Sequence, residues 1–194
     1  LIVWPETMMP VFLNAVFELR GALHRLDPIY AAARAAVDQM AATGAHLLLG
    51  ALTYESPTGR LFNSVYFISP SADLSARYDK MRPVLFGEYV PLRGVFPFLG
   101  RLRPEVMGPD LSAGRERKLF DLPYSGGRVK LGATVCYEDA EVDLVRGFVR
   151  DGARAMVNAT NDGWFLDSAE LDMHLAMTVF RAAETRVPWV RATN

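Results

Sequence analysis

The sequence predicts a single α/β domain with a mixed sheet architecture. Apolar runs of strand length alternate with segments of helical period along the 194 residues. Short turn signals, Ser56-Pro-Thr-Gly59, Pro70-Ser-Ala-Asp73 and Ser125-Gly-Gly127, separate successive runs. No repeat, low-complexity tract or internal linker divides the chain, which is long enough for one sizeable core.

Each element has its own signal. Leu1-Ile-Val-Trp4 reads as a strand ended by Pro5, with Glu6 at its C-terminal lip. Residues 28–44 read as a helix, with Pro28 in the first turn and Gly44 at the C′ position. Ile29, Ala33, Val37 and Met40 or Ala41 fall on one face of it. Residues 46–53 and 61–69 are apolar strands, and residues 75–80 form a short strand that delivers Lys80 to an irregular region. That region, 81–116, is rich in Pro, Gly and Arg, and its length marks it as functional. Residues 118–122 and 128–136 make a hairpin around Ser125-Gly-Gly127. A short helix over 140–151, a strand over 154–160, a helix over 168–186 and a strand from Trp189 complete the order. Leu171, Leu175, Met177 and Phe180 occupy more than one face of the last helix, which predicts a buried helix.

Composition narrows the function classes. A formal net charge of −1 and the lack of a basic run argue against a general nucleic-acid binder. The single cysteine excludes an internal disulfide and leaves the redox compartment open. No apolar stretch reaches the length of a membrane span, and no signal peptide is visible. The chain begins without Met in one strand-like run and stops in another, so it reads as a segment of a longer protein.

The apolar run Gly132-Ala-Thr-Val-Cys136 ends in that cysteine, and Glu138 and Asp139 follow at once. Strand ends are where α/β proteins place chemistry. A thiol here reads either as a nucleophile or as a small buried hydrophobe. A nucleophilic thiol needs a base or a cation nearby. His24, His46 and His174 do not lie in polar clusters of the sequence, and His46 and His174 read as structural. No His/Cys/Asp spacing resembles a zinc site, and neither a Gly-x-Ser-x-Gly elbow nor a phosphate loop is present. Lys118 and Lys130 read as solvated. Glu6, Lys80 and Cys136 each stand where a strand gives way to a loop, and such ends converge on one rim. A Glu can accept the thiol proton and a Lys can stabilise an oxyanion.

Motifs around these three residues, in order along the chain, are Val3-Trp-Pro-Glu-Thr7, Tyr78-Asp-Lys80, Phe86-Gly-Glu-Tyr-Val-Pro-Leu92, Val135-Cys-Tyr-Glu138, Asn161-Asp-Gly-Trp-Phe165 and Arg191-Ala-Thr-Asn194. On these the chain resembles the nitrilase (carbon–nitrogen hydrolase) superfamily, and most closely its membrane-bound branch of apolipoprotein N-acyltransferases. The resemblance spans essentially the whole chain. It departs at Leu85, where the family usually has Pro, and at Leu166, where the family motif Trp-Phe-Gly-Asp-Ser has Gly.

The resemblance implies an α-β-β-α sandwich, here a segment lacking the outermost terminal strands. Residues 1–194 would be one catalytic domain of a larger membrane protein. It implies Glu6 as general base, Lys80 on the oxyanion side and Cys136 as nucleophile. Glu88, Tyr137 and Glu138 would support them, and Trp164 would fall beside the pocket. No cofactor is implied. The implied partners are a phospholipid acyl donor, a diacylglyceryl-lipoprotein acceptor and a membrane surface, with the domain on the periplasmic face of the bacterial inner membrane.

Residues 84–102 add a physical expectation. Phe86, Tyr89, Phe96 and Phe98 are interspersed with Pro91, Gly94, Pro97 and Gly100, and Arg93, Arg101 and Arg103 lie within or beside the segment. Such a segment can lie on a bilayer with aromatics at the interface, or pack as a lid on its own core. Two other readings stay open: a soluble amidohydrolase acting on a small amide or nitrile, and a non-catalytic interaction domain in which Cys136 is only buried.

Overall fold

The structure is a computed structural model that describes residues 1–18, 28–102, 108–166 and 168–194. His24, Arg103 and Asp167, and the side chain of Leu102, lie outside the described residues. Two four-stranded sheets form the centre. The first has the order β1 (Ile2–Phe12), β2 (Leu47–Glu55), β3 (Arg60–Ile68), β4 (Leu74–Asp79). The second has the order β5 (Leu119–Tyr124), β6 (Gly127–Val135), β7 (Ala155–Ala159), β8 (Trp189–Ala192).

The period-2 alternation of the strands sorts their side chains between two apolar layers. Leu48, Val65 and Phe67 of the first sheet share a cluster with Phe120, Leu131, Ala133 and Val135 of the second. Phe67 stacks on Phe120 with ring centroids 5.3 Å apart. The alternate residues Leu47, Leu49, Tyr66 and Ile68 face the other way, against α1 (Leu13–Glu18) and α2 (Pro28–Ala41). In α2 the buried residues are Ala33, Val37 and Ala41, four apart as a helical stripe requires, while Ile29 is exposed. The second sheet carries α3 (Val142–Arg150) and α4 (Glu170–Thr185). Met156 of β7 and the Phe148 ring of α3 pack over Gly132 of β6, the Met156 sulfur 2.5 Å and the nearest ring carbon 3.1 Å from where a Cβ would stand.

Two expectations need correction. Pro5 does not end the first strand. The regular pairs Ile2↔Leu47 to Trp4↔Leu49 give way to Met9↔Ala51, so four residues, Pro5 to Met8, stand opposite the single Gly50. Pro5 cannot donate to the ladder, and the strand bulges past it instead of stopping. Helix α4 is also not a buried helix. Only His174 and Thr178, one turn apart, are buried, and Phe180 is 67% exposed. The helix lies outermost, so a single stripe of it meets the protein.

Strand direction sets the site. In the second sheet β6 runs parallel to β7 and β7 to β8, so their C-terminal ends share a rim. In the first, β1 is parallel to β2, and β3 is antiparallel to both β2 and β4. The ends of β1, β2 and β4 therefore share a rim with the start of β3. Glu6, expected at a strand end, lies instead in the bulge inside β1, and the Asn161 N–H, just past β7, donates to its Oε2 at 3.0 Å, which joins the bulge to the rim of the second sheet.

Candidate active site

Cys136 is the first residue after β6 and has φ +53°, left-handed backbone that costs a non-glycine residue roughly 1–3 kcal/mol. Its surroundings hold it there. Asn158 Nδ2 donates to the Cys136 carbonyl at 2.9 Å and to Thr134 Oγ1 at 3.1 Å. A 3₁₀ turn, Cys136–Ala140, follows. Within it the fully buried Glu138 accepts from Val135 N (2.9 Å), Met81 N (2.7 Å), Arg82 N (3.0 Å) and the Tyr78 hydroxyl (2.9 Å). Glu138 thereby clamps the segment after Lys80 to the strand that carries Cys136.

Glu6 projects from the β1 bulge. Its approach to β2 depends on Gly50, where a Cβ would stand 2.4 Å from Pro5 O and 2.7 Å from Glu6 Cα. Glu6 Oε1 accepts from Asn63 Nδ2 at 2.5 Å, and the same amide donates to Glu88 Oε1 at 3.0 Å. Lys80 Nζ lies 2.8 Å from Glu88 Oε2 and 3.8 Å from Glu6 Oε1. The closer contact is a charge-assisted pair with Glu88, and only the longer approach to Glu6 lies beyond hydrogen-bond reach. Glu88 Oε2 also accepts from Val84 N at 2.7 Å. Glu6, Lys80 and Cys136 are 5%, 1% and 8% exposed.

Burial and mutual charge set the ionisation of these groups. Burial pushes the Cys136 thiol up to about 12; the Glu6 charge pushes the same way, and Lys80 opposes both. The nearby Tyr137 N–H and Thr160 hydroxyl pull the thiol back down, by less. Burial raises the Glu6 carboxyl against the pull of Lys80. Burial works to lower the Lys80 ammonium, but Glu6 and Glu88 outweigh it and hold the lysine charged. The resting arrangement is a protonated thiol beside a carboxylate whose proton affinity is raised, with a fixed cation alongside.

A cavity of about 580 Å³ opens beside this group, lined by Met81, Pro83, Val84, Leu85, Tyr89, Leu111 and Tyr137, with Arg82 and Glu141 as its charged groups. It reaches the chain neighbours of Lys80 and Cys136. Of the aromatic residues singled out in the sequence, Tyr89 and Tyr137 line it, while Phe86, Phe96, Phe98 and Trp164 do not. Trp164, expected beside the pocket, is 60% exposed, and Phe98 is 64% exposed.

Sequence reasoning passed over Asn63 and Asn158. Each is a buried amide inside an apolar strand, Phe62-Asn63-Ser64 and Val157-Asn158-Ala159, and that mismatch was a usable signal. It also misplaced His174, which does lie in a polar cluster. Asp139, Asp162, Thr178 and Arg191, far apart in the sequence, meet around it. Only the packing of α4 over the second sheet brings them together.

Two packed sheets flanked by helices, with a buried carboxylate, ammonium and thiol in one group, define a class of α/β protein built around a single cysteine. The chain belongs to the carbon–nitrogen hydrolase family, whose model matches residues 1–194. Among curated proteins it is similar to the apolipoprotein N-acyltransferase of Geobacter metallireducens, 36% identical over 196 residues, which covers 100% of this chain and 34% of that protein. The corresponding protein of Bdellovibrio bacteriovorus is 34% identical over 200 residues, with 100% and 34% covered. The chain thus spans about a third of the length of the curated relatives it matches. Among solved structures it is similar to an amidase from Nesterenkonia sp. AN1 in complex with acrylamide, with TM-score 0.63, 16% identity, and 98% of this chain and 62% of that one covered. A second structure of that amidase, described as from the nitrilase superfamily, gives TM-score 0.60 at 18% identity, with 98% of this chain and 62% of that one covered. These structures bear on the fold alone, and the nitrilase-like sandwich is the fold.

Proposed function

We propose that residues 1–194 form the catalytic domain of a larger membrane-bound N-acyltransferase. It moves an acyl chain from a phospholipid, through a thioester on Cys136, to the α-amine of a diacylglyceryl-cysteine at the N-terminus of a lipoprotein. The observation that carries this reading is the buried group of Glu6, Lys80 and Cys136, in which the Lys80 ammonium lies 3.8 Å from the Glu6 carboxylate and its charge acts on the thiol. The names of the curated relatives support the choice of acyl donor and acceptor.

In the first half-reaction Glu6 takes the thiol proton as Cys136 Sγ attacks the ester carbonyl. Lys80 Nζ and the Tyr137 N–H donate to the oxyanion. The ester C–O bond breaks, the lysophospholipid leaves with the proton held by Glu6, and a thioester remains. In the second, the amine attacks the thioester, Glu6 takes a proton from it, and the C–S bond breaks. The sulfur leaves as thiolate and regains the proton. Glu88 holds Lys80, and Glu138 fixes the nucleophile turn. The mainly apolar cavity suits an acyl chain. The exposed apolar residues of 85–98, with Arg93 among them, suit a lipid surface at the periplasmic face of the inner membrane. Among the described residues no helix is long and apolar enough to cross a membrane.

The test incubates the full-length protein with phospholipid and measures the mass of the peptide that contains Cys136. An acyl adduct on wild type, lost in Cys136→Ala and Lys80→Ala, is expected. Adduct and lipoprotein acylation that survive both substitutions would overturn the mechanism. Ammonia release from a small amide, without acyl transfer, would instead identify the amidohydrolase.

A further inference from the structure

The cluster around His174 lies behind the nucleophile turn and plays no part in the chemistry above. His174 is completely buried on the inward stripe of α4. Its Nε2 is 3.2 Å from Asp139 Oδ1, a carboxylate three residues beyond Cys136 in the same 3₁₀ turn. Its Nδ1 is 3.1 Å from Asp162 Oδ1 and 2.9 Å from Arg191 Nη2. Arg191, on β8, also pairs with Asp162 Oδ2 at 2.7 Å and approaches Asp139 Oδ2 at 3.4 Å. The Thr178 hydroxyl, one helical turn from His174, donates to Asp139 Oδ2. The face of the imidazole stacks on the Tyr137 ring, with centroids 4.6 Å apart and planes 14° apart.

Asp139 therefore has a donor from α4 on each oxygen, and Tyr137, the residue bonded to Cys136, rests against the ring that supplies one of them. A strained turn of four or five residues has little internal means of holding one orientation. Glu138 and Asn158 hold its inner side, and α4, with Arg191 of β8, holds its outer side. The Tyr137 N–H belongs to the same turn and is the first backbone donor after the thiol-bearing residue. Any rotation of the turn moves that N–H relative to the sulfur and to the position of an oxyanion.

We propose that His174 is a positioning residue: the Nε2–H donated to Asp139 fixes the Cys136–Ala140 turn so that the thiol and the Tyr137 N–H face the same acyl carbon. The role belongs to the donor, not to the aromatic ring. A ring without the donor, His174→Phe, keeps the face against Tyr137 and loses the bond. A donor without the ring, His174→Gln, places an amide N–H close to where Nε2–H stands. This separates positioning from simple packing, which the phenylalanine would satisfy better than the glutamine.

The inference rests on the thioester reading, and the experiment separates the two. The full-length protein is mixed with dipalmitoyl phosphatidylethanolamine in micelles, and acylation of Cys136 is followed by mass in a single turnover at several lipid concentrations. His174→Phe is expected to slow the saturated acylation rate by about a hundredfold, the scale of a small misplacement of reacting groups, with the half-saturating lipid concentration unchanged. His174→Gln is expected to recover most of that rate. Should His174→Phe fail to fold, Asp139→Asn replaces it, with the same loss expected and no further loss on adding His174→Gln. Wild-type rates in His174→Phe or Asp139→Asn, a His174→Gln as slow as His174→Phe, or a change confined to half-saturation would each overturn the proposal. If wild type itself never acquires an acyl mass, the thioester reading has failed and this proposal with it.

Discussion

Lys80 Nζ stands 2.8 Å from Glu88 Oε2 but 3.8 Å from Glu6 Oε1. Glu88 thus makes the direct contact with the ammonium, while Glu6 acts on it by charge from an ångström further away, and one amide, Asn63 Nδ2, donates to both carboxylates. Glu6 pairs with Lys80 only at this longer distance and stays near enough to influence the thiol. The proposed chemistry requires that division, because a base locked to its cation is a poor proton acceptor.

Removing the Glu88 charge tests it directly. In Glu88→Gln the carboxylate left at ion-pair range of Lys80 Nζ, among the described residues, is Glu6, which is drawn toward it and away from proton transfer. Acyl transfer is expected to fall about a hundredfold, the usual worth of a positioned general base, with little change in KM. Steady-state kinetics of the full-length protein measure both. Lys80→Met is expected to be worse for folding, costing roughly 3–5 kcal/mol because the buried Glu6 and the half-buried Glu88 lose their cation. A chemical denaturation midpoint reads that loss.

Glu6→Gln should move two measurements in opposite directions. The Glu6 charge helps to raise the Cys136 thiol, so its removal makes the thiolate easier to form. Alkylation of Cys136 by iodoacetamide is expected to speed up. Acyl transfer is expected to slow by about 10²–10⁴, the range for losing a general base. Both rates falling together would show that Glu6 acts only through structure.

The thiol carries a pH signature. Burial pushes Cys136 from an ordinary 9.0 up to about 12 in the folded protein. A folded value above the unfolded one contributes stability that is fully present below the unfolded pKa and is lost as pH rises through the folded one. The window therefore lies between about 9 and 12. The denaturation midpoint of wild type is expected to decline across it more steeply than that of Cys136→Ala. In the same range, alkylation of the native protein should lag behind alkylation of the denatured chain.

Gly50→Ala is expected to abolish activity through the backbone. The added Cβ meets Pro5 O at 2.4 Å, backbone that cannot step aside, so the bulge carrying Glu6 must shift. A stability loss of about 1–3 kcal/mol, typical of overpacking, should accompany it. Gly44→Ala is the control. It places a side chain at φ +79° with no atom within 4 Å, for a cost of about 1–2 kcal/mol and no loss of activity. Thermal unfolding and acyl transfer measured on both variants distinguish a displaced base from general destabilisation.

The exposed segment near the cavity has its own readout. Leu92 and Phe98, each 64% exposed, lie outside the cavity and far from proton transfer. The double replacement Leu92→Ser, Phe98→Ser is expected to raise the half-saturating phospholipid concentration several-fold, as lost interfacial apolar area would, and to leave kcat in place. A fall in kcat alone would make the segment a lid on the protein's own core.

The strands and helices were legible because each announced itself locally. Ala33, Val37 and Ala41 repeat with helical period, and Ser125-Gly126 closes a hairpin whose last pair is Tyr124↔Gly127. The β1 bulge was not legible, since a proline stops regular pairing in the same way whether the strand ends or detours. Exposure of α4 was hidden for a different reason. Its apolar residues, Leu175, Val179 and Phe180, look like core residues, yet they fall off the single stripe of His174 and Thr178 that packs on the rest of the chain.

By itself the sequence determined the elements, their order and the family resemblance, and singled out Glu6, Lys80 and Cys136 as candidates, because propensity, period and motif are properties of neighbouring residues. Tertiary structure alone decided the relations between distant ones. It opposed Glu6 to Gly50, divided Lys80 unequally between two carboxylates, and brought Asp139, Asp162, His174 and Arg191 into one buried cluster. Those relations arise from strand direction and layer packing, which no local pattern encodes.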